Sequence, residues 1–120
     1  MNGGIRSTFG TDGVRNAVHG SSSAQQQKAE TDLFMSQPPS AYFTNCTCAI
    51  IKPHVVAAGL AGEIIDSILE EGFEISSMQM FSLDRPTSEE FFEVYRGVLP
   101  EFPAISEHMT TGPCIVMEIR

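Results

Sequence analysis

The sequence predicts an α+β fold: an antiparallel sheet with helices on one side, preceded by a loop-helix segment. Three observations lead there. Apolar residues gather between positions 46 and 119 and are thin over 1 to 40. Inside the rich region, short apolar runs of strand length alternate with a run of helical period. The pair Pro38-Pro39 separates the two regions.

Residues 1 to 20 are rich in glycine and lack periodicity, so they read as loop, with a short extended piece near Val14 to Val18. Ser21, Ser22 or Ser23 can cap a helix running to about Phe34, because a serine oxygen accepts from the free amides of a first turn. The apolar face of that helix is weak: Ala24, Ala29, Leu33 and Phe34. Gln37-Pro38-Pro39-Ser40 blocks any helix and reads as linker.

Cys46 to Lys52 reads as a strand buried on both faces and ended by Pro53. Residues 59 to 71 form an amphipathic helix, with Leu60, Ile64, Ile65, Ile68 and Leu69 on one stripe and Gly72 as its stop. Phe73 to Leu83 is a second strand, long enough to reach a sheet edge, with Met78, Met80 and Phe81 in the sheet core. Thr87-Ser88-Glu89-Glu90 has capping-box spacing and starts a short helix carrying Phe91, Phe92 and Tyr95. A further helix is expected around Pro103 to Met109, and Gly112-Pro113 turns the chain into a third strand, Cys114 to Ile119. The order strand, helix, strand, helices, strand makes a partial ferredoxin-like (split β-α-β) unit without its fourth strand. The sheet is therefore expected to be completed from elsewhere, or the segment alone to be poorly stable.

An apolar share of 42% is enough for a packed core. The net charge of −8 is dispersed apart from Glu70-Glu71 and Glu89-Glu90, which describes a solvated acidic surface. No basic cluster exists to grip a polynucleotide backbone, so no nucleic-acid partner is expected; a local phosphate site needs only a few cations. No apolar run approaches the roughly 20 residues of a membrane span, so no membrane partner is expected either. An odd number of cysteines without a signal peptide predicts a reducing compartment and a cytoplasmic protein. Cys46, Cys48 and Cys114 fall short of the four ligands zinc prefers, and they read as buried small side chains rather than a metal site. His54 and His108 read as solvated, with no partner visible in the sequence.

Arg15-Asn16-Ala17-Val18-His19-Gly20-Ser21 sets a histidine at a glycine turn, followed by hydroxyls and a polar helix. A phosphate-carrying imidazole needs that setting. One ring nitrogen must be held by an acceptor, and donors must stand close enough to meet the anion. Taken without neighbours, His19 is a turn residue, Glu30 an exposed helix carboxylate and Lys52 a strand-end lysine facing water.

Together these residues resemble the nucleoside diphosphate kinase family. Ala49-Ile50-Ile51-Lys52-Pro53 matches its Lys-Pro strand, and Gly59-Leu60-Ala61-Gly62-Glu63-Ile64-Ile65 its following helix. Thr111-Gly112-Pro113 looks like its Ser-Gly-Pro turn, and residues 15 to 21 match its histidine loop, Arg-Asn-x-x-His-Gly-Ser. In the family the Lys-Pro strand precedes the histidine loop within one domain; here it follows. The order resembles a junction in a tandem-domain member. Residues 1-36 would be the C-terminal part of a first kinase domain, 37-44 a linker, and 45-120 the N-terminal half of a second. A circular permutation also inverts the order, but it leaves the missing fourth-strand region unexplained.

The resemblance implies transfer of a γ-phosphate from a nucleoside triphosphate to a nucleoside diphosphate through phosphohistidine, with Mg2+ bound through the nucleotide phosphates. It makes His19 the nucleophile and Glu30 the carboxylate that supports its loop, with Ser21 beside it. It places Arg6 on phosphate, Asn16 on the nucleotide sugar and Lys52 on the transferred phosphate. Three positions depart from the family pattern: His54 and Ser22 replace aspartates, and Phe92 replaces a tyrosine. His19 and Lys52 would then serve different active sites, so the 120 residues alone are expected to be weak or inactive, with activity residing in a longer parent. Two other readings are a chain that only binds nucleotide and a non-catalytic scaffold. The resembled tandem member is associated with axonemal microtubules, centrosomes and the γ-tubulin ring complex. That implies a cytoskeletal or cilium-axoneme location.

Overall fold

The computed structural model describes residues 3–120. They form two compact units, one running to Pro38 and the other from Pro39 to Arg120.

The first unit contains α1 (Ile5–Phe9) and α2 (Ala24–Met35). α1 stands where loop was expected. Its turn hangs on the Gly4 carbonyl, which accepts from the Ser7 amide at 2.9 Å, the Ser7 hydroxyl at 2.7 Å and the Thr8 amide at 3.2 Å. Such a turn is held locally and leaves no apolar period to read. Val14 to Val18 is not extended either. The Asp12 carboxylate accepts from the Val14 and Arg15 amides at 2.9 and 2.8 Å and curls the chain into an Asx turn. Ser23 is the helix cap, accepting from the Gln26 amide at 3.2 Å, while Ser22 engages the Gln26 side chain.

The second unit contains β1 (Thr47–Ile51), α3 (Pro53–Ala57), α4 (Ala61–Glu70), β2 (Ile75–Phe81), α5 (Arg85–Phe91), a 3-10 turn (Glu93–Tyr95), α6 (Phe102–His108) and β3 (Cys114–Ile119). The strand order is β1-β3-β2, with β3 antiparallel to both neighbours. β1 and β2 therefore run parallel across the gap that β3 fills, joined by α3 and α4. This is the split β-α-β arrangement. Ile51, Met117 and Ile119 form the core, with Val55, Val56, Ala61, Ile65 and Ile68 packed on it from α3 and α4.

Several local expectations are corrected. Pro53 ends β1 but also opens α3, because a ring-locked φ without an amide hydrogen suits a first helical turn. Gly59, at φ +75°, separates α3 from α4. Of the expected stripe only Ile65 and Ile68 pack on the core, joined there by Ala61, which the stripe did not include; Leu60, Ile64 and Leu69 stay exposed. β1 is an edge strand and is fully buried only at Ile51, so Cys46 and Cys48 are exposed and Cys114 alone is buried. Met78, Met80 and Phe81 are exposed rather than core, since α3 and α4 cover only the Ile75 end of β2. α5 starts two residues before the expected capping box: Asp84 is the cap, accepting from the Thr87 amide at 2.9 Å.

The segment after Pro39 is fastened to its sheet. The Glu118 carboxylate of β3 accepts from the Tyr42 and Phe43 amides, both at 2.8 Å, and from the Ser76 hydroxyl at 2.6 Å. The Arg120 guanidinium lies 4.5 Å over the Tyr42 ring. This strap walls an apolar cavity of about 300 Å³ against Cys48, Gln79, Phe81 and Val116, on the sheet face opposite α3 and α4.

Candidate functional site

The histidine loop of the first unit is built from three short-range devices. Arg6, on α1, donates from Nε to the Val18 carbonyl at 2.8 Å, one residue before His19. Asp12 closes the preceding turn and pairs with Arg15 at 2.6 Å. The Val18 amide reaches the Asn16 carbonyl at 2.9 Å across Ala17, whose φ is +72°. A three-residue turn with positive φ at a non-glycine residue is strained, by about 1–2 kcal/mol. The loop holds that strain two residues before His19.

Gly10 permits the arrangement. A Cβ there would lie 2.4 Å from the Arg6 carbonyl and 3.0 Å from the Asn16 Cα, so the end of α1 and the Asn16 backbone approach too closely for any side chain. Asn16 donates from its amide to the Gly13 carbonyl at 3.3 Å.

Glu30, on the second turn of α2, gathers the remaining partners. The His19 Nε2–H donates to Glu30 Oε2 at 3.0 Å, and the Ser21 hydroxyl donates to the same oxygen. A carboxylate only accepts, so Nε2 carries a proton, and in the neutral ring the lone pair is on Nδ1. The Ser21 hydroxyl first, and His19 second, hold the Glu30 carboxyl below its ordinary value. His19 is exposed while Glu30 is half-buried, so the ring is anchored at one nitrogen and open at the other. The arrangement suits nucleophilic attack by Nδ1.

Lys52 lies in the second unit, exposed, at the end of β1. It occupies the N-cap position of α3, its carbonyl taking the Val55 and Val56 amides at 3.0 and 3.2 Å. Phe92 sits half-buried against Phe91, ring centroids 4.8 Å apart, and brings no hydroxyl. His54 and His108, expected to be solvated and unpartnered, instead face each other at 3.0 Å.

The structure thus brings Arg6, Asn16, His19, Ser21 and Glu30 into one unit, while Lys52 stands in the other. The sequence reading missed the Arg6–Val18 bond, the Gly10 contact and the Ala17 strain. A glycine between two motif residues was the one available signal, and it is weak alone.

The family model named nucleoside diphosphate kinase matches residues 45–120. Nucleoside diphosphate kinase homolog 7 of Rattus norvegicus is 44% identical over 98% of this chain and 31% of its own length, and the Mus musculus protein of that name gives the same figures. The nucleoside diphosphate kinase of Staphylothermus marinus is 43% identical over 62% of this chain and 52% of its own. A crystal structure of the Aquifex aeolicus nucleoside diphosphate kinase superposes with a TM-score of 0.58 at 32% identity, covering 62% of this chain and 52% of that one. The chain spans less than a third of the rodent relatives and about half of the microbial one.

Proposed function

Because the chain belongs to the nucleoside diphosphate kinase family, we propose that a longer parent protein moves a γ-phosphate between nucleotides through His19. The observation that carries this reading is the Nε2–H bond from His19 to Glu30 at 3.0 Å. In the first half-reaction the Nδ1 lone pair attacks the γ-phosphorus. An N–P bond forms, the bridging P–O bond breaks, and the nucleoside diphosphate leaves with that electron pair. In the second, a terminal phosphate oxygen of another diphosphate attacks the phosphorus, the P–N bond breaks, and neutral imidazole returns. Throughout, Glu30 holds the Nε2 proton and steadies the charge that builds on the ring.

Arg6 fixes the loop through Val18 and has guanidinium nitrogens left for phosphate; Asn16 serves the sugar. Mg2+ enters with the nucleotide, as part of the substrate. The loop stands just ahead of the amino end of α2, where free amides favour an anion. Lys52 serves a second site, in a second domain opened by residues 45–120, while residues 1–36 close the first. The 120 residues by themselves are therefore weak or inactive in phosphoryl exchange.

Replacing His19 with alanine in the parent tests the reading. Exchange between nucleotides is expected to fall by roughly 10³-fold or more, the scale for losing a nucleophile. Unchanged exchange, or rapid turnover by residues 1–120 alone, contradicts it. His54 and Phe92 favour a second role, in which the second domain is kept for contacts with microtubule or γ-tubulin complex proteins in the cytoplasm, centrosome or axoneme. Co-sedimentation of the parent with microtubules, undisturbed by His19→Ala, would separate that role from catalysis.

A further inference from the structure

The strained turn of the histidine loop needs something to hold it. Ala17, at φ +72°, lies between Asn16 and Val18, two residues before His19. A non-glycine residue keeps such a backbone only where its neighbours over-determine it. After Ala17 the holder is Arg6, through its 2.8 Å bond to the Val18 carbonyl. Before Ala17 the chain is held by the turn that Asp12 makes.

Both oxygens of Asp12 are engaged. Oδ1 accepts from the Val14 and Arg15 amides at 2.9 and 2.8 Å. Oδ2 accepts from Arg15 Nε at 2.8 Å and from Nη2 of the same guanidinium at 2.6 Å. The Arg15 amide first, its guanidinium second and the Val14 amide third hold the Asp12 carboxyl below its ordinary value. The turn is tied at its neck, where the Thr11 amide donates to the Arg15 carbonyl at 2.7 Å. Asn16 follows directly, and its side-chain amide donates back into the turn, to the Gly13 carbonyl at 3.3 Å. The turn thus sets Asn16, and Ala17 and Val18 carry that setting on to His19. Among the described residues the Asp12 carboxylate bonds Val14 and Arg15 alone, so it reaches the imidazole through the backbone.

Taking His19 as the phosphoryl acceptor of the parent, on which the inference rests, we propose that Asp12 is a positioning residue for that step. Its turn holds Ala17 in the strained conformation that sets the imidazole against Glu30 and Asn16 toward the sugar. Asp12 makes and breaks no bond in the transfer. Without its carboxylate Ala17 relaxes toward negative φ and the ring leaves its place. A displacement of about 1 Å costs about 100-fold in rate. Asparagine at 12 keeps an acceptor oxygen for the two amides and forms the same kind of turn, so it retains most of the geometry. Glycine at 17 takes a positive φ without steric cost, so a loop carrying it depends less on Asp12.

The test is single-turnover labelling of the parent with γ-labelled Mg-ATP, which separates the rate of transfer from the fraction of competent molecules. Asp12→Ala should slow labelling of His19 by about 10- to 100-fold at saturating nucleotide. It should also raise the half-saturating nucleotide concentration through Asn16, while the final label per chain stays at the unsubstituted level. Asp12→Asn should recover most of the rate, and Asp12→Ala combined with Ala17→Gly should be faster than Asp12→Ala alone. A residue that merely keeps the domain folded would do the reverse, lowering the final label and leaving the rate of the surviving molecules unchanged. That result, an unchanged rate in Asp12→Ala, or no recovery with either Asp12→Asn or Ala17→Gly overturns the proposal. An unsubstituted parent that takes no label on His19 overturns the nucleophile itself, and the role of Asp12 with it.

Discussion

The two units are held together by different physics. Among the described residues, the unit ending at Pro38 has no buried side chain, and Phe9, Val14 and Met35 stand 74%, 91% and 80% exposed. Its order comes from short hydrogen bonds: Arg6 to Val18, Asp12 to two amides, and Glu30 to His19 and Ser21. The unit from Pro39 onward has a core at Ile51, Met117 and Ile119, and polar groups fasten segments to its rim. Exposed hydrogen bonds exchange with water and contribute little net stability, whereas burial drives cooperative folding. The first unit can thus shape a site without being able to protect it.

The largest effect should come from the core. Met117→Ala removes a side chain that is 2% exposed and should cost the second unit about 2–5 kcal/mol. Denaturant unfolding followed by NMR should show the β3 signals lost at lower denaturant than in the unsubstituted chain, with the midpoint of the His19 ring signals unchanged. Simultaneous collapse of both units would break the comparison.

Gly10→Ala sharpens it from the other side. The added methyl meets backbone at 2.4 Å and 3.0 Å, which no rotamer relieves. A cost of about 1–3 kcal/mol is expected, on the scale of overpacking, and it should fall on the histidine loop alone. Loss of the hydrogen-bonded His19 Nε2–H signal with an unchanged melting curve for the second unit would fit.

The strap should respond to acid. Hydrogen bonds from Ser76 first, then the Tyr42 and Phe43 amides, hold the Glu118 carboxyl at about 2, below its ordinary 4.5. A lowered folded-state value means the contribution is complete above the ordinary value and lost as pH falls toward 2. Amide exchange at Tyr42 and Phe43 should therefore accelerate over that interval, beyond the intrinsic pH trend. Glu118→Gln should release the same two amides at neutral pH.

The smallest effect is at the α2 cap, where Ser23→Ala should cost about 1 kcal/mol of local helix stability. Far-UV circular dichroism of the two forms checks it; no change would mean that Ser22 and Gln26 carry the helix start.

What could be read from the sequence follows the same division. β3 was legible to the residue because Gly112-Pro113 and the apolar run leave one choice. The split β-α-β order was legible because strand-length runs at β1, β2 and β3 alternate with the helical apolar stripe of α4. α1 was not, since a turn built on the Gly4 carbonyl has no apolar period. The exposure of Met78 and Met80 was not, because alternation shows which face a residue takes but not whether a helix covers it. His19 and Glu30 stood out through a motif, yet their 3.0 Å bond needed coordinates. The His54–His108 contact joins residues far apart in sequence, which no local pattern reports.

The most direct test is the isomer of phosphohistidine formed when the parent meets Mg-ATP, read by phosphorus–proton NMR on the isolated His19 peptide. With Nε2 held by Glu30, the phosphoryl group should be found on Nδ1, and Glu30→Gln should slow its formation. Phosphate on Nε2, or label on a residue other than His19, would contradict the account.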